Sequence, residues 1–437
     1  MSSATWLLVH ALALVIFVNR YLGGLVVRVA RGADWDPTRD DYEPTVTVVI
    51  PLYNEATGIA ATLRSVLAAD YPAAKLSVIC VDDCSTDASF ATARAVVAHA
   101  GGRLTVLRNP RNLGKRHSII HAVRRATGEI IVSVDSDVVI EPAAIRELVR
   151  RFTRPELAAV GGWVDVRNKH DNWLTRMQTV KYWYAYYAMR NLEWAFQRML
   201  CLSGCLTAYR RAVLLELEPI LARRALLGMP IKYGEDRFLT RQIVKAGYRT
   251  TITLAARCRT FVPRTLAGYL SQQLRWRRSN LVDYLGGLTH VWRLHPLIAI
   301  NYFAMGTVLI GYPLAAVRAL STGRFFPALV GHLSVLAAFG LYYRWRVRRW
   351  PAEDRVGALA FLPQALVMPV TYGLLTPLAA WSLDSTSWET RGAAEPVGDA
   401  PEASAPEPQA PDAPDAIAAI AAPEAIAAPD EIAVSDR

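Results

Sequence analysis

Little in this sequence can be cross-linked or can hold zinc. Its 437 residues include five cysteines, Cys80, Cys84, Cys201, Cys205 and Cys258, with no CxxC pair and no Cys/His set at zinc spacing. That excludes a disulfide scaffold and a zinc ribbon, and an odd number of scattered thiols fits a reducing, cytosol-side compartment. Cys201 and Cys205 stand four apart, a spacing open to a metal but more simply read as two small buried hydrophobes. Neither a basic recognition helix nor a zinc finger accompanies the positive charge, so nucleic acid is not an expected partner. The N-terminus also lacks the order of a secretory signal, basic residues first and then a small-residue cleavage site.

What the chain does have is apolar length and unevenly placed charge. Lys+Arg 49 against Asp+Glu 38 gives a net charge of +11. Ten of the acids and a single Arg fall in residues 392–437, so the rest of the chain carries about +20. Such an excess suits anionic phospholipid headgroups and a nucleotide diphosphate. Segment 392–437 is Ala, Pro, Glu and Asp with no aromatic residue. It reads as a disordered acidic tail, either a solvated appendage or an activation-type segment.

The order of segments predicts an α/β fold attached to a membrane. Residues 1–31 read as an uncleaved N-terminal anchor, because Arg20, Arg28 and Arg31 follow the apolar run and mark a cytosolic flank. Residues 44–262 read as a cytosolic domain. Stretches 45–50, 76–82 and 129–135 are near-continuous β-branched or apolar runs, as in strands buried on both faces. Helical patterns at 88–100 and 115–126 alternate with them, which predicts a mostly parallel sheet flanked by helices. Residues 263–290 form a basic amphipathic stretch suited to lying at the bilayer interface. Two transmembrane helices follow within 295–344, and a basic run at 344–349 returns the chain to the cytosol. Residues 356–391 contain Pro363, Pro369 and Pro377 and read as interfacial or re-entrant. The expected location is the cell membrane, multi-pass, with the lipid bilayer as a partner.

Ligands of such sheets gather beyond the carboxyl ends of the strands. Tyr53-Asn54-Glu55, Asp82-Asp83 and Asp135-Ser136-Asp137 each fall at such an end. Asp135 and Asp137 can approach a diphosphate through Mg²⁺ or Mn²⁺, which one or two carboxylates and substrate phosphates typically hold. An Asx-type turn that merely ends the strand accounts for the pair equally well. Asp236, in Gly234-Glu235-Asp236-Arg237, opens a helical pattern, as an ordinary cap or as a general base for an acceptor hydroxyl. Lys115, after Gly114, begins another helix, where backbone amides and an ammonium suit phosphate or where the charge is simply solvated. Gln272-Gln273-Leu274-Arg275-Trp276 offers a cation for a diphosphate and an indole face for a sugar ring.

In this order along one chain, these motifs resemble the family 2 membrane glycosyltransferases, most closely hyaluronan synthases and their chitin and cellulose synthase relatives. The resemblance covers residues 44–391 and implies a GT-A-like fold that polymerises UDP-sugar donors into a membrane-extruded polysaccharide by an inverting, processive mechanism. It implies that Tyr53, Glu55 and Asp83 lie on the nucleotide side, with Lys115, Asp135, Arg275 and Arg391 toward the diphosphate. Asp137 becomes the likelier direct metal ligand of its pair and Asp236 the catalytic base. Ser203, Gly204, Gln272, Trp276 and Trp388 fall on the acceptor side. The chain departs from the family pattern at Cys84, Cys205 and Glu389. Because Arg391 must reach a cytosolic site, residues 356–383 are expected not to cross the bilayer once.

Overall fold

The computed structural model describes residues 23–31, 37–226, 228–231 and 233–383. Most of the expected N-terminal anchor, the acidic tail, and Trp388 and Arg391 lie outside the described residues.

Eight strands form one sheet, β1 (Val46–Leu52), β2 (Leu76–Asp82), β3 (Leu104–Arg108), β4 (Ile130–Val134), β5 (Val139–Ile140), β6 (Leu157–Val166), β7 (Leu206–Arg210) and β10 (Arg249–Thr260). A separate two-stranded hairpin pairs β8 (Ala225–Leu226) with β9 (Met229–Pro230). The order across the sheet is β3-β2-β1-β4-β7-β6-β10-β5. Strands β1 to β4 run parallel to one another, so their carboxyl ends share one rim. All seven residues of β1 are buried, because the sheet is covered on both faces. Ile50 and Leu52 pack with Leu63, Val132 and Trp163 on one side. Val49 packs with Ile131, Tyr209 and Phe238 on the other. Emptying one such site, for example Leu63→Ala, typically costs about 2–5 kcal/mol.

Strand β7 is antiparallel to both neighbours, with Leu206 opposite Val134 of β4. Its amino end therefore meets the carboxyl end of β4, which brings Ser203, Gly204 and Cys205 to Asp135. Strand β10 returns parallel to β6 and delivers Thr260 to the same rim. This interleaving converts several separate strand ends into one wall.

Long helices follow the sheet. Helix Leu266–Gly287 starts where the Thr265 hydroxyl accepts a hydrogen bond from the Gly268 N–H at 3.3 Å. Helices Pro296–Ser321 and Phe325–Arg346 occupy the two stretches in which crossings were expected. Among the described residues, Phe325–Arg346 alone is a single helix both long and apolar enough to cross a membrane. Its 22 residues extend about 33 Å at 1.5 Å each, against a hydrocarbon core of about 30 Å. Segments Ala352–Phe361 and Gln364–Trp381 pass the same test only as a pair, bent by 71°. The bend falls where Pro363 removes a backbone donor.

Candidate functional site

A cavity of about 390 Å³ opens at the strand rim. Tyr53 and Glu55 line it after β1, and Asp135 and Asp137 after β4. Ser203 and Gly204 reach it before β7, and Lys115 and Asp236 from the first turns of their helices. Arg275 and Trp276 close another side. Residues as far apart in sequence as Tyr53 and Trp276 thus share one space.

Lys115 is the centre of its charge. The Nζ atom lies 2.7 Å from Asp135 Oδ1 and 2.7 Å from Glu235 Oε1. Burial opposes the ammonium charge, but the two carboxylates outweigh it and hold the Lys115 pKa well above the ordinary lysine value. Burial likewise opposes ionisation of Glu235, and Lys115 overcomes it, so its pKa is lowered. Asp236 has the opposite balance. Burial first, and the Glu235 charge second, raise its pKa against the pull of Arg237 and Lys115. One carboxylate is therefore spent on an ion pair while its neighbour is kept more basic, which separates a binding role from a proton-accepting one. The Asp236 Oδ1 atom accepts the Arg237 backbone N–H at 2.8 Å, a bond that fixes its rotamer.

Glycine is needed at two places around this centre. Gly204 lets the β7 turn close on the charges, since a Cβ there would lie 2.8 Å from Lys115 Nζ and 3.4 Å from Asp135 Oδ1. Gly234 has φ +68°, and a Cβ on it would come within 1.9 Å of Ser279 Oγ. It permits helix Leu266–Gly287 to approach the Asp236 turn closely.

Asp137 accepts a hydrogen bond from Thr260 Oγ1 at 3.1 Å through Oδ2. Among the described residues, no group of three or more His, Cys, Asp or Glu side chains converges as a self-sufficient metal site. Asp135 is paired with Lys115, and Asp137, which lines the same cavity, could hold a hard divalent cation. This sparse oxygen donor set fits Mg²⁺ or Mn²⁺, which complete their coordination with substrate phosphates and water.

Two sequence candidates do not line the cavity. Asp83 is fully buried, accepting Asn109 Nδ2 at 2.7 Å and the Leu113 and Gly114 backbone N–H groups at 3.0 and 2.7 Å. In this structure it anchors the loop that delivers Lys115. Gln272 is also buried, and neither atom of its amide finds a hydrogen-bond partner among the described residues. Cys84 holds φ +63°, a left-handed backbone in which a non-glycine residue is strained.

The structure adds residues that the motifs did not single out. Lys181 and Tyr182 come from helix Trp173–Tyr184 and stand beside Trp276. The Tyr182 and Trp276 ring centroids are 6.2 Å apart. The available signal was a lone cation inside an aromatic stretch, Val180-Lys181-Tyr182-Trp183-Tyr184.

Residues 44–279 match the family described as glycosyltransferase like family 2. The chain is 32% identical over 367 residues to an N-acetylglucosaminyltransferase of Sinorhizobium fredii, across 82% of this chain and 88% of that protein. It is 31% identical over 293 residues to a hyaluronan synthase of Streptococcus pyogenes, across 62% of this chain and 69% of the other. Among solved structures, it is similar to mannosyltransferase PcManGT from Pyrobaculum calidifontis in complex with GDP-Man and Mn²⁺. That likeness has a TM-score of 0.56 at 25% identity and covers 82% of this chain and 97% of the other.

Proposed function

Since the chain belongs to glycosyltransferase family 2, we propose that it polymerises UDP-sugars processively, by inverting transfer, into a polysaccharide passed across the lipid bilayer. The observation that carries this reading is the shared cavity of Lys115, Asp137, Asp236, Arg275 and Trp276. The Asp236 carboxylate takes the proton from the acceptor hydroxyl. The resulting oxygen attacks the anomeric carbon of the donor from the face opposite the diphosphate, and the bond to the UDP oxygen breaks. Lys115 and Arg275 meet the negative charge that builds on the leaving diphosphate. A divalent cation bound at Asp137 would neutralise part of that same charge. Trp276 offers a flat floor for the acceptor sugar, which holds the two reactants in line. Tyr53 and Glu55, which line the same cavity after β1, are assigned to the nucleotide.

Helix Phe325–Arg346 and the bent pair after it support extrusion of the product over release into the cytosol. A second reading, a chitin-like homopolymer, is favoured by the relatives named as N-acetylglucosaminyltransferases. The test is the full chain in lipid nanodiscs, supplied with UDP-sugars singly and in pairs, with UDP release and product length followed together. Long products are expected from the start of the reaction. Products one sugar longer than their acceptor throughout would overturn the processive reading.

A further inference from the structure

Lys181 is half-buried beside Trp276, and among the described residues no acid balances it. Its Nζ donates to Gln273 Oε1 at 2.7 Å and to Tyr269 Oη at 3.2 Å, both neutral acceptors. It stands 6.0 Å from the Trp276 ring centroid and 5.4 Å from that of Tyr269. No Asp or Glu pairs with it among the described residues, and the charge that acts on it is a second cation, Arg277. An ammonium has three donors, so one remains for a ligand in the cavity that Lys181 lines. Lys115 has two carboxylates at 2.7 Å, whereas Lys181 has none. A desolvated cation in that position is unfavourable until a counter-charge arrives. Burial, reinforced by Arg277, accordingly presses its pKa down to about 7.

We propose that Lys181 determines acceptor specificity by pairing with the carboxylate of a uronic-acid unit seated on Trp276, so that acidic-ended chains are extended in preference to neutral ones. The inference rests on the reading of Trp276 as the acceptor floor. Tyr269 and Gln273 hold the ammonium 6.0 Å from the centre of the indole ring, in the same cavity, within reach of a substituent on a sugar seated there. An acceptor carboxylate supplies the counter-charge that none of the described residues provides. A neutral sugar leaves the cation uncompensated.

The test uses the full chain in nanodiscs and two oligosaccharides of equal length, one ending in glucuronate and the other in N-acetylglucosamine. Wild-type protein should favour the acidic-ended acceptor by about tenfold or more, the worth of one charge-assisted hydrogen bond. Lys181→Gln should erase that preference through the acceptor KM and leave UDP affinity unchanged, and Lys181→Arg should restore it. Equal use of both acceptors by the wild type overturns the proposal. So does an equal loss for both in Lys181→Gln, which would make Lys181 only a strut between helices. Calorimetric binding of the two oligosaccharides decides the same question without turnover. Absence of transfer with preserved acidic preference in binding would count against the polymerase reading alone.

Discussion

Gly204→Ala asks which substrate the β7 turn serves. The added Cβ would sit 2.8 Å from Lys115 Nζ, and ordinary contact begins at 3.4 Å, so the ammonium must retreat by the 0.6 Å between them. Both of its ion pairs start at 2.7 Å. Lengthening one by that amount at an effective dielectric of about 20 weakens it by about 1 kcal/mol. If both pairs lengthen, about 2 kcal/mol of the local field is lost, and solvent at the cavity mouth trims that toward 1. The donor diphosphate, which depends on the placement of Lys115, should bind about five- to thirtyfold more weakly. Calorimetry with UDP and steady-state UDP release with the donor varied measure this directly. Acceptor KM should stay put, and thermal stability should fall little because Nζ ends a flexible side chain. The motif resemblance assigns Ser203 and Gly204 to the acceptor, so the outcomes diverge. An unchanged donor KM with a raised acceptor KM would refute the link from Gly204 through Lys115 to the diphosphate.

Three further perturbations probe the same wall. Asp236→Asn keeps the shape but removes the base, so turnover should fall by about 10²–10⁴-fold with UDP affinity nearly intact; substantial surviving turnover would remove Asp236 from the chemistry. The base must be ionised, and burial and Glu235 raise its pKa. Activity should therefore be lost, as pH falls, above the ordinary Asp value of about 4. Glu235→Gln removes the like charge and should move that acid limb to lower pH; a stationary limb assigns the titration to another group. Thr260→Val deletes the hydroxyl that orients Asp137 at 3.1 Å. It should raise the Mg²⁺ or Mn²⁺ concentration for half-maximal activity by about tenfold, and an unchanged metal requirement would leave Thr260 with no part in the site.

The rim was legible in the sequence because its strands are unbroken apolar runs that end abruptly in polar clusters. Tyr53, Asp83 and Asp135 could each be assigned to a strand end by that change alone. What each end does once folded was less accessible. Asp83 and Glu55 look equivalent as acids after strands, yet Asp83 turns inward to hold the 113–114 amides while Glu55 lines the cavity. The antiparallel entry of β7 between β4 and β6 has no local signal, since strand pairing is fixed by contacts distant in sequence. It nevertheless decides that Gly204 meets Lys115. The Lys115–Glu235 pair joins residues 120 positions apart and was invisible for the same reason. Lys181 escaped attention because one lysine in a helical pattern ordinarily points to water; only the packing of Tyr269 and Gln273 against it shows otherwise.

Helix Leu266–Gly287 explains why chemistry and apolar helices belong to one device. Near its middle, Arg275 and Trp276 face the cavity. One residue on, the Arg277 guanidinium lies 3.7 Å from the Tyr372 ring centroid, and Arg278 Nε donates to Ser382 Oγ at 3.0 Å. Tyr372 belongs to the bent pair that follows Phe325–Arg346, and Ser382 caps its last helix. Farther along, Asp283 binds Arg241 at 3.2 Å, on the helix that begins with Glu235 and Asp236. Its next residue, Tyr284, stacks on Tyr302 of helix Pro296–Ser321 at 5.0 Å between centroids. A helix of 22 residues is too stiff to bend freely between such attachments. Trp276, Asp236 and the apolar helices are therefore held in a common frame. A displacement of the apolar helices would be transmitted through this helix to Trp276 and to the turn that carries Asp236.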